Sequence, residues 1–90
     1  MEKMHIQAEV SGTVQGVGYR NFCQQQALRL HITGSVSNQS NDKVLIDAFG
    51  RTDSVLALIE QLKQGPSCAN VARVSIKASH TEIQQGFDIH

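Results

Sequence analysis

The residues best equipped for chemistry lie together in one short stretch, Gln15-Gly16-Val17-Gly18-Tyr19-Arg20. Glycines at 16 and 18 let successive backbone N–H groups turn toward one point, a concavity that favours an anion. A helix expected just downstream adds its own unsatisfied N–H groups and the positive end of its dipole. Arg20 closes the stretch with a planar guanidinium fork matched to two phosphate oxygens. The combination predicts a phosphate cradle. A flexible strand-to-helix connection carrying an exposed arginine accounts for the same composition, and Gly-x-Gly turns are common enough that composition alone balances the two readings.

A second arrangement, Cys23-Gln24-Gln25-Gln26-Ala27-Leu28-Arg29, has the C-x5-R spacing of cysteine-dependent phosphatases. That chemistry needs a glycine-bearing loop to bring the arginine back over the thiolate. Here the intervening residues are good helix formers. In a helix, positions 23 and 29 are separated by about 600° of rotation and ~9 Å of rise, so they cannot clamp one phosphate. Cys23 is expected to be a small buried hydrophobe. Cys23 and Cys68 form no secreted-type disulfide framework, and His5, His31, His80 and His90 have no zinc-ligand spacing. No metal or other cofactor is expected.

The elements that would carry these residues follow from periodicity. Ile6, Ala8, Val10, Gly12 and Val14 alternate with polar residues, as in a strand with one buried face. A first helix is predicted over residues 22–30, N-capped by Asn21, with Cys23, Ala27 and Leu30 inward and with His31 and Gly34 ending it. Val36 opens a second strand, Gln39-Ser40-Asn41-Asp42 supplies a turn, and Val44 to Phe49 forms a third strand. A second helix begins at Thr52 or Asp53, buries Val55, Leu58, Ile59 and Leu62, and stops at Gly65-Pro66. Ala72 to Ala78 alternate as a fourth strand, and Phe87 and Ile89 mark a short last one. The order βαββαβ predicts an α+β, ferredoxin-like α/β sandwich: an antiparallel sheet with two helices on one face, as a single domain over residues 1–90.

Composition narrows the function classes. With 40% hydrophobic residues the chain can build a core and is not disordered. Eight basic and eight acidic residues give zero net charge, so no electrostatic footprint for nucleic acid or anionic lipid is present. An RNA-recognition module of this topology would need aromatics on its sheet, and the chain holds 3 Phe, 1 Tyr and no Trp. No apolar run reaches the ~18 residues of a membrane span. The first residues lack the apolar core of a secretory signal. A soluble cytoplasmic monomer is expected.

Gly12-Thr13-Val14-Gln15-Gly16-Val17-Gly18-Tyr19-Arg20 resembles the acylphosphatase signature G-x-V-Q-G-V-x-[FY]-R at every specified position. A second family segment, G-[FYW]-V-x-N followed by N-x(3)-G-x-V-x(5)-G, is similar to Gly34-Ser35-Val36-Ser37-Asn38 and the residues through Val44 to Gly50. The resemblance extends over nearly the whole chain. It departs at Ser35, where the family usually has an aromatic, and at Asp42, where it has a turn glycine. At Asp42 the turn is expected to need a positive φ from Asn41 or Asp42.

The resemblance implies hydrolysis of the carboxyl–phosphate bond of acyl phosphates without a metal, giving a carboxylate and inorganic phosphate. It implies that Arg20 anchors the phosphate within the 15–20 loop and that Asn38 orients the attacking water. Read from residues alone, Asn38 is an ordinary turn or strand-end asparagine. The sequon Asn38-Gln39-Ser40 is expected to be a chance match. The alternative function is a non-catalytic phosphate- or metabolite-binding ferredoxin-like domain, motivated by Ser35 and Asp42. Because an ammonium cannot reproduce a bidentate fork, Arg20→Lys is expected to lose nearly as much acyl-phosphate turnover as Arg20→Ala. Near-normal initial rates from the lysine variant would contradict the fork.

Overall fold

Alternation sets the first strand, and a bulge in the strand beside it marks its end. In the computed structural model, which describes residues 2–90, β1 runs Lys3–Thr13 and buries Ile6, Ala8 and Val10 on one face. Its pairing register shifts between Ser11 and Gly12. The extra residue is Ala72 on the neighbouring strand, so the bulge lies opposite the Ser11–Gly12 step, just before the glycine-rich turn.

Helix α1 spans Tyr19–Arg29, three residues earlier than periodicity indicates. Its N-cap is Gly18 in the left-handed conformation, with no side-chain cap, so Asn21 lies inside the first turn rather than capping it. Backbone conformation, which leaves no trace among capping side chains, sets the start. Cys23 and Ala27 are buried as expected, Tyr19 joins them, and Leu30 is half-buried. His31 takes the left-handed conformation (φ 59°) past the helix end, whereas Gly34 lies within the next strand.

Strands β2 (Thr33–Asn38) and β3 (Val44–Arg51) form an antiparallel hairpin, and Asp42 supplies the positive φ (65°) where the family pattern has glycine. Helix α2 (Thr52–Gln64) buries Val55, Leu58, Ile59 and Leu62, and Gly65 ends it. Strand β4 (Asn70–Ala78) and the short β5 (Phe87–Ile89) complete the sheet in the order β4-β1-β3-β2-β5. The first four strands pair antiparallel, as expected of a ferredoxin-like sandwich, and β5 joins the β2 edge in parallel, making the sheet mixed.

The connection from β4 to β5 must cross from one sheet edge to the other. It is fastened midway to Asp47 on β3, which is 7% exposed. The Asp47 carboxylate accepts from Ser79 Oγ and from Thr81 Oγ1 (3.0 Å), and His5 Nε2 lies 2.9 Å away. These partners offset the cost of burying a carboxylate and deliver β5 to β2.

The two helices are tied by one buried bond. Tyr19, 1% exposed, donates its hydroxyl to the carbonyl of Leu62 at 2.6 Å. That carbonyl lies in the last turn of α2, where no intrahelical donor exists. Tyr19→Phe should therefore lower stability by about 1–2 kcal/mol in denaturant melts while leaving the fold intact. A change below about 0.3 kcal/mol would show that water replaces the hydroxyl without cost.

Candidate active site

The turn between β1 and α1 is built from left-handed glycines. Gly16 (φ 74°) and Gly18 (φ 80°) adopt a conformation that a side chain disfavours, although a Cβ at either would meet nothing within 4 Å. The constraint is therefore conformational rather than steric. No main-chain N–H from Gln15 to Arg20 makes a well-formed hydrogen bond to another group among the described residues. Alternating conformations of this sort turn such donors toward a shared anion.

These donors border a cleft of about 160 Å³. Of the loop residues singled out by sequence, Gly16, Gly18, Tyr19 and Arg20 line it, together with Val14, Asn21 and Ile89. Arg20 is the one charged residue of that lining, and the first turn of α1 holds no acidic residue. Its potential is therefore uniformly suited to an anion.

Two predicted loop residues face elsewhere. Val17 packs against the core cluster. The Gln15 side chain turns away to the β2–β3 hairpin, where its Nε2 donates to the carbonyls of Gln39 (2.9 Å) and Lys43 (2.8 Å). Asn38 does not line the cleft. It is exposed at the end of β2, paired with Val44, and the two-residue period places it on the helix-side face with buried Val36.

Hydrogen bonds nevertheless join both flanks of Asn38 to the loop. On one side, Gln39 is held by Gln15. On the other, the N–H of His90 donates to Val36 at 2.8 Å, and Arg20 Nη1 donates to the main-chain oxygen of His90 at 2.8 Å. Gln24, one turn beyond Arg20, donates to Phe87 at 2.8 Å, so α1 grips β5 at two points. Sequence reasoning missed the structural parts played by Gln15, Gln24 and β5. Residue type gives no signal for a side chain whose partner is a distant carbonyl.

Cys23 is fully buried in the core cluster. Burial pushes its thiol up from an ordinary 9.0 to about 12, so it is protonated at neutral pH and unsuited to nucleophilic attack. The same desolvation raises the Tyr19 hydroxyl. Among the described residues, no group of three or more His, Cys, Asp or Glu side chains is placed to hold a metal ion.

Fold and cleft together define a class: a ferredoxin-like sandwich with a cleft at its β1–α1 turn whose one charged residue is Arg20. The acylphosphatase family model matches residues 6–89. The chain is 44% identical over 85 residues to an acylphosphatase of Salinibacter ruber, covering 93% of this chain and 90% of that one. It is 43% identical to an acylphosphatase of Hahella chejuensis, covering 98% and 95%. Its fold superposes on the structure of an acylphosphatase from Coxiella burnetii with a TM-score of 0.92, at 35% identity and with 98% and 93% of the chains covered. The chain belongs to the acylphosphatase family, and it is an enzyme.

Two outcomes follow from the buried thiol. Cys23→Ala should retain acyl-phosphate turnover, and loss of turnover by a folded variant would make Cys23 part of the chemistry. Because the folded thiol titrates above the unfolded one, its contribution to stability is intact below pH 9 and is lost as pH rises toward about 12. Denaturant melts across that window should show a shallower decline for Cys23→Ala than for the native chain. Equal slopes would refute the raised value.

Proposed function

We propose that the 15–20 turn and Arg20 hold the phosphoryl group of an acyl phosphate while Asn38 orients the water that attacks it. The activity is hydrolysis of the carboxyl–phosphate bond. The single observation carrying the site assignment is the run of unpartnered N–H groups from Gln15 to Arg20, beside a cleft whose one charged residue is Arg20.

The chemistry suits a site of fixed donors. A carboxylate is a good leaving group, so rate enhancement comes from positioning and from stabilising charge on the phosphoryl oxygens. The turn supplies N–H donors whose backbone is already set by Gly16 and Gly18, which avoids reorganisation during reaction. Arg20 reaches the cleft from the first turn of α1. Its Nη1 bond to His90 steadies the guanidinium and leaves its other N–H groups for phosphoryl oxygens.

The Asn38 amide accepts a hydrogen bond from water through its oxygen while its nitrogen donates elsewhere, so it aims a neutral nucleophile. As the new P–O bond forms, the bond from phosphorus to the carboxyl oxygen breaks and the carboxylate departs with the electron pair. The water proton passes to a phosphoryl oxygen, giving inorganic phosphate. No metal takes part in this scheme.

The reading includes a single domain acting as a monomer in the cytoplasm, with acyl phosphate and inorganic phosphate as its partners and no nucleic acid. Balanced charge supports the last point. No helix among the described residues is long and apolar enough to cross a membrane.

Hydrolysis of benzoyl phosphate in EDTA tests the reading. Turnover should persist in the native chain and fall by about 100-fold or more in folded Arg20→Ala and Asn38→Ala. Inorganic phosphate should inhibit competitively. Background turnover by the folded native chain, with phosphate binding that depends on Arg20, would make the site a binder instead.

A further inference from the structure

We infer that Gln15 is a positioning residue that sets the distance between the phosphate turn and Asn38, so that it governs turnover rather than phosphate affinity. The inference rests on the proposed roles of Arg20 and Asn38. Gln15 belongs to the anion-favouring stretch by sequence, but its side chain gives the cleft nothing. It clamps the neck of the β2–β3 hairpin.

The neck is closed by the N–H of Gln39, which donates to the Lys43 carbonyl at 2.7 Å, one step beyond the Asn38–Val44 pair. Gln15 Nε2 donates to the Lys43 carbonyl and also to the Gln39 carbonyl, bridging both strands of the neck. Both targets are acceptors, so only the NH2 group of an amide satisfies them from this atom. The opposite flip would set its oxygen against two carbonyl oxygens. The bridge is therefore specific for a side chain of this length ending in two N–H donors.

The turn beyond the neck has no comparable stiffness. Asp42 holds a left-handed conformation that glycine would adopt without strain, and the remaining local ties are long: Gln39 Nε2 to Ser37 Oγ at 3.3 Å, and Lys43 N–H to Asn41 Oδ1 and Lys43 Nζ to Glu9 Oε1 at 3.4 Å. Asn38 is the last residue of β2 before this turn, and its side chain is exposed. Beyond its ladder pairing with Val44, its register against the loop is set from the β5 side through His90 and from the hairpin side through the Gln15 bridge. Phosphate affinity depends on the N–H groups of residues 15–20 and on Arg20, whose backbone is set by Gly16 and Gly18 and by the start of α1. Removing the Gln15 amide thus frees Asn38 while leaving the anion cradle formed.

The test compares benzoyl phosphate kinetics and inorganic phosphate inhibition for the native chain, Gln15→Met, Asn38→Ala and the double variant. The methionine substitution keeps the side-chain length and removes both donors. Gln15→Glu gives a second reading, because a carboxylate of the same shape faces the two carbonyls. Gln15→Met should lower kcat about tenfold or more, with the inhibition constant of phosphate unchanged within about twofold. In the Asn38→Ala background the same substitution should cost nothing further, since the group it positions is gone.

An unchanged kcat in both Gln15 variants, with Asn38→Ala damaged, overturns this inference alone. A parallel loss of phosphate affinity, or a full additional loss in the double variant, also overturns it and puts Gln15 to work on the cradle. Native turnover by Asn38→Ala overturns the water-orienting role and the inference with it.

Discussion

A turn of main-chain N–H groups without acceptors is the constraint on which the rest of this molecule depends. Between Gln15 and Arg20 the backbone runs through two left-handed glycines and leaves its N–H donors without well-formed partners, beside a cleft lined by Gly16, Gly18, Tyr19 and Arg20. A segment of this kind adds little to stability by itself, so its neighbours must hold it. Strand β1 leads into it past the β4 bulge at Ala72, and Tyr19 locks its far end to the last turn of α2. Gln15 binds its near end to the hairpin. The proposed anion site is a gap left in the hydrogen-bonding of an otherwise well-tied sandwich.

The second face of the sheet serves the site indirectly. Asp47 sits on a central strand, opposite the helices, and gathers Ser79, Thr81 and His5. This anchors the long connection that brings β5 to the free edge of β2. Once there, β5 and the residue after it offer main-chain oxygens to Gln24 and Arg20, four residues apart on one face of α1. A buried carboxylate on the far side of the sheet thus helps to hold the guanidinium at the cleft.

Much of this was legible in the sequence because period and punctuation are local properties. The alternation of Ile6, Ala8 and Val10, the Val55-Leu58-Ile59-Leu62 stripe and the Gly65-Pro66 stop each specify an element without reference to the rest of the chain. A positive φ at Asn41 or Asp42 is expected from the departure from the family's turn glycine, and Asp42 takes it. The start of α1 was not legible, because a glycine caps it through backbone conformation while capping patterns point to an oxygen-bearing side chain such as Asn21. The parallel docking of β5 was hidden because three residues carry no direction of pairing. Within the site, Gly16, Gly18 and Arg20 were recognisable by type. The tether formed by Gln15 was not, since its targets are carbonyls 24 and 28 residues away.

At the centre of this picture is the proposal that the main chain of residues 15–20, together with Arg20, holds an anion. The most direct measurement is a titration of inorganic phosphate into the nitrogen-15-labelled protein, followed by amide and guanidinium resonances. Saturable shifts should concentrate in the amides of residues 15–20 and in the Arg20 side chain, and should reverse when an acyl phosphate competes. Saturable binding that leaves those resonances still and moves others would contradict the assignment.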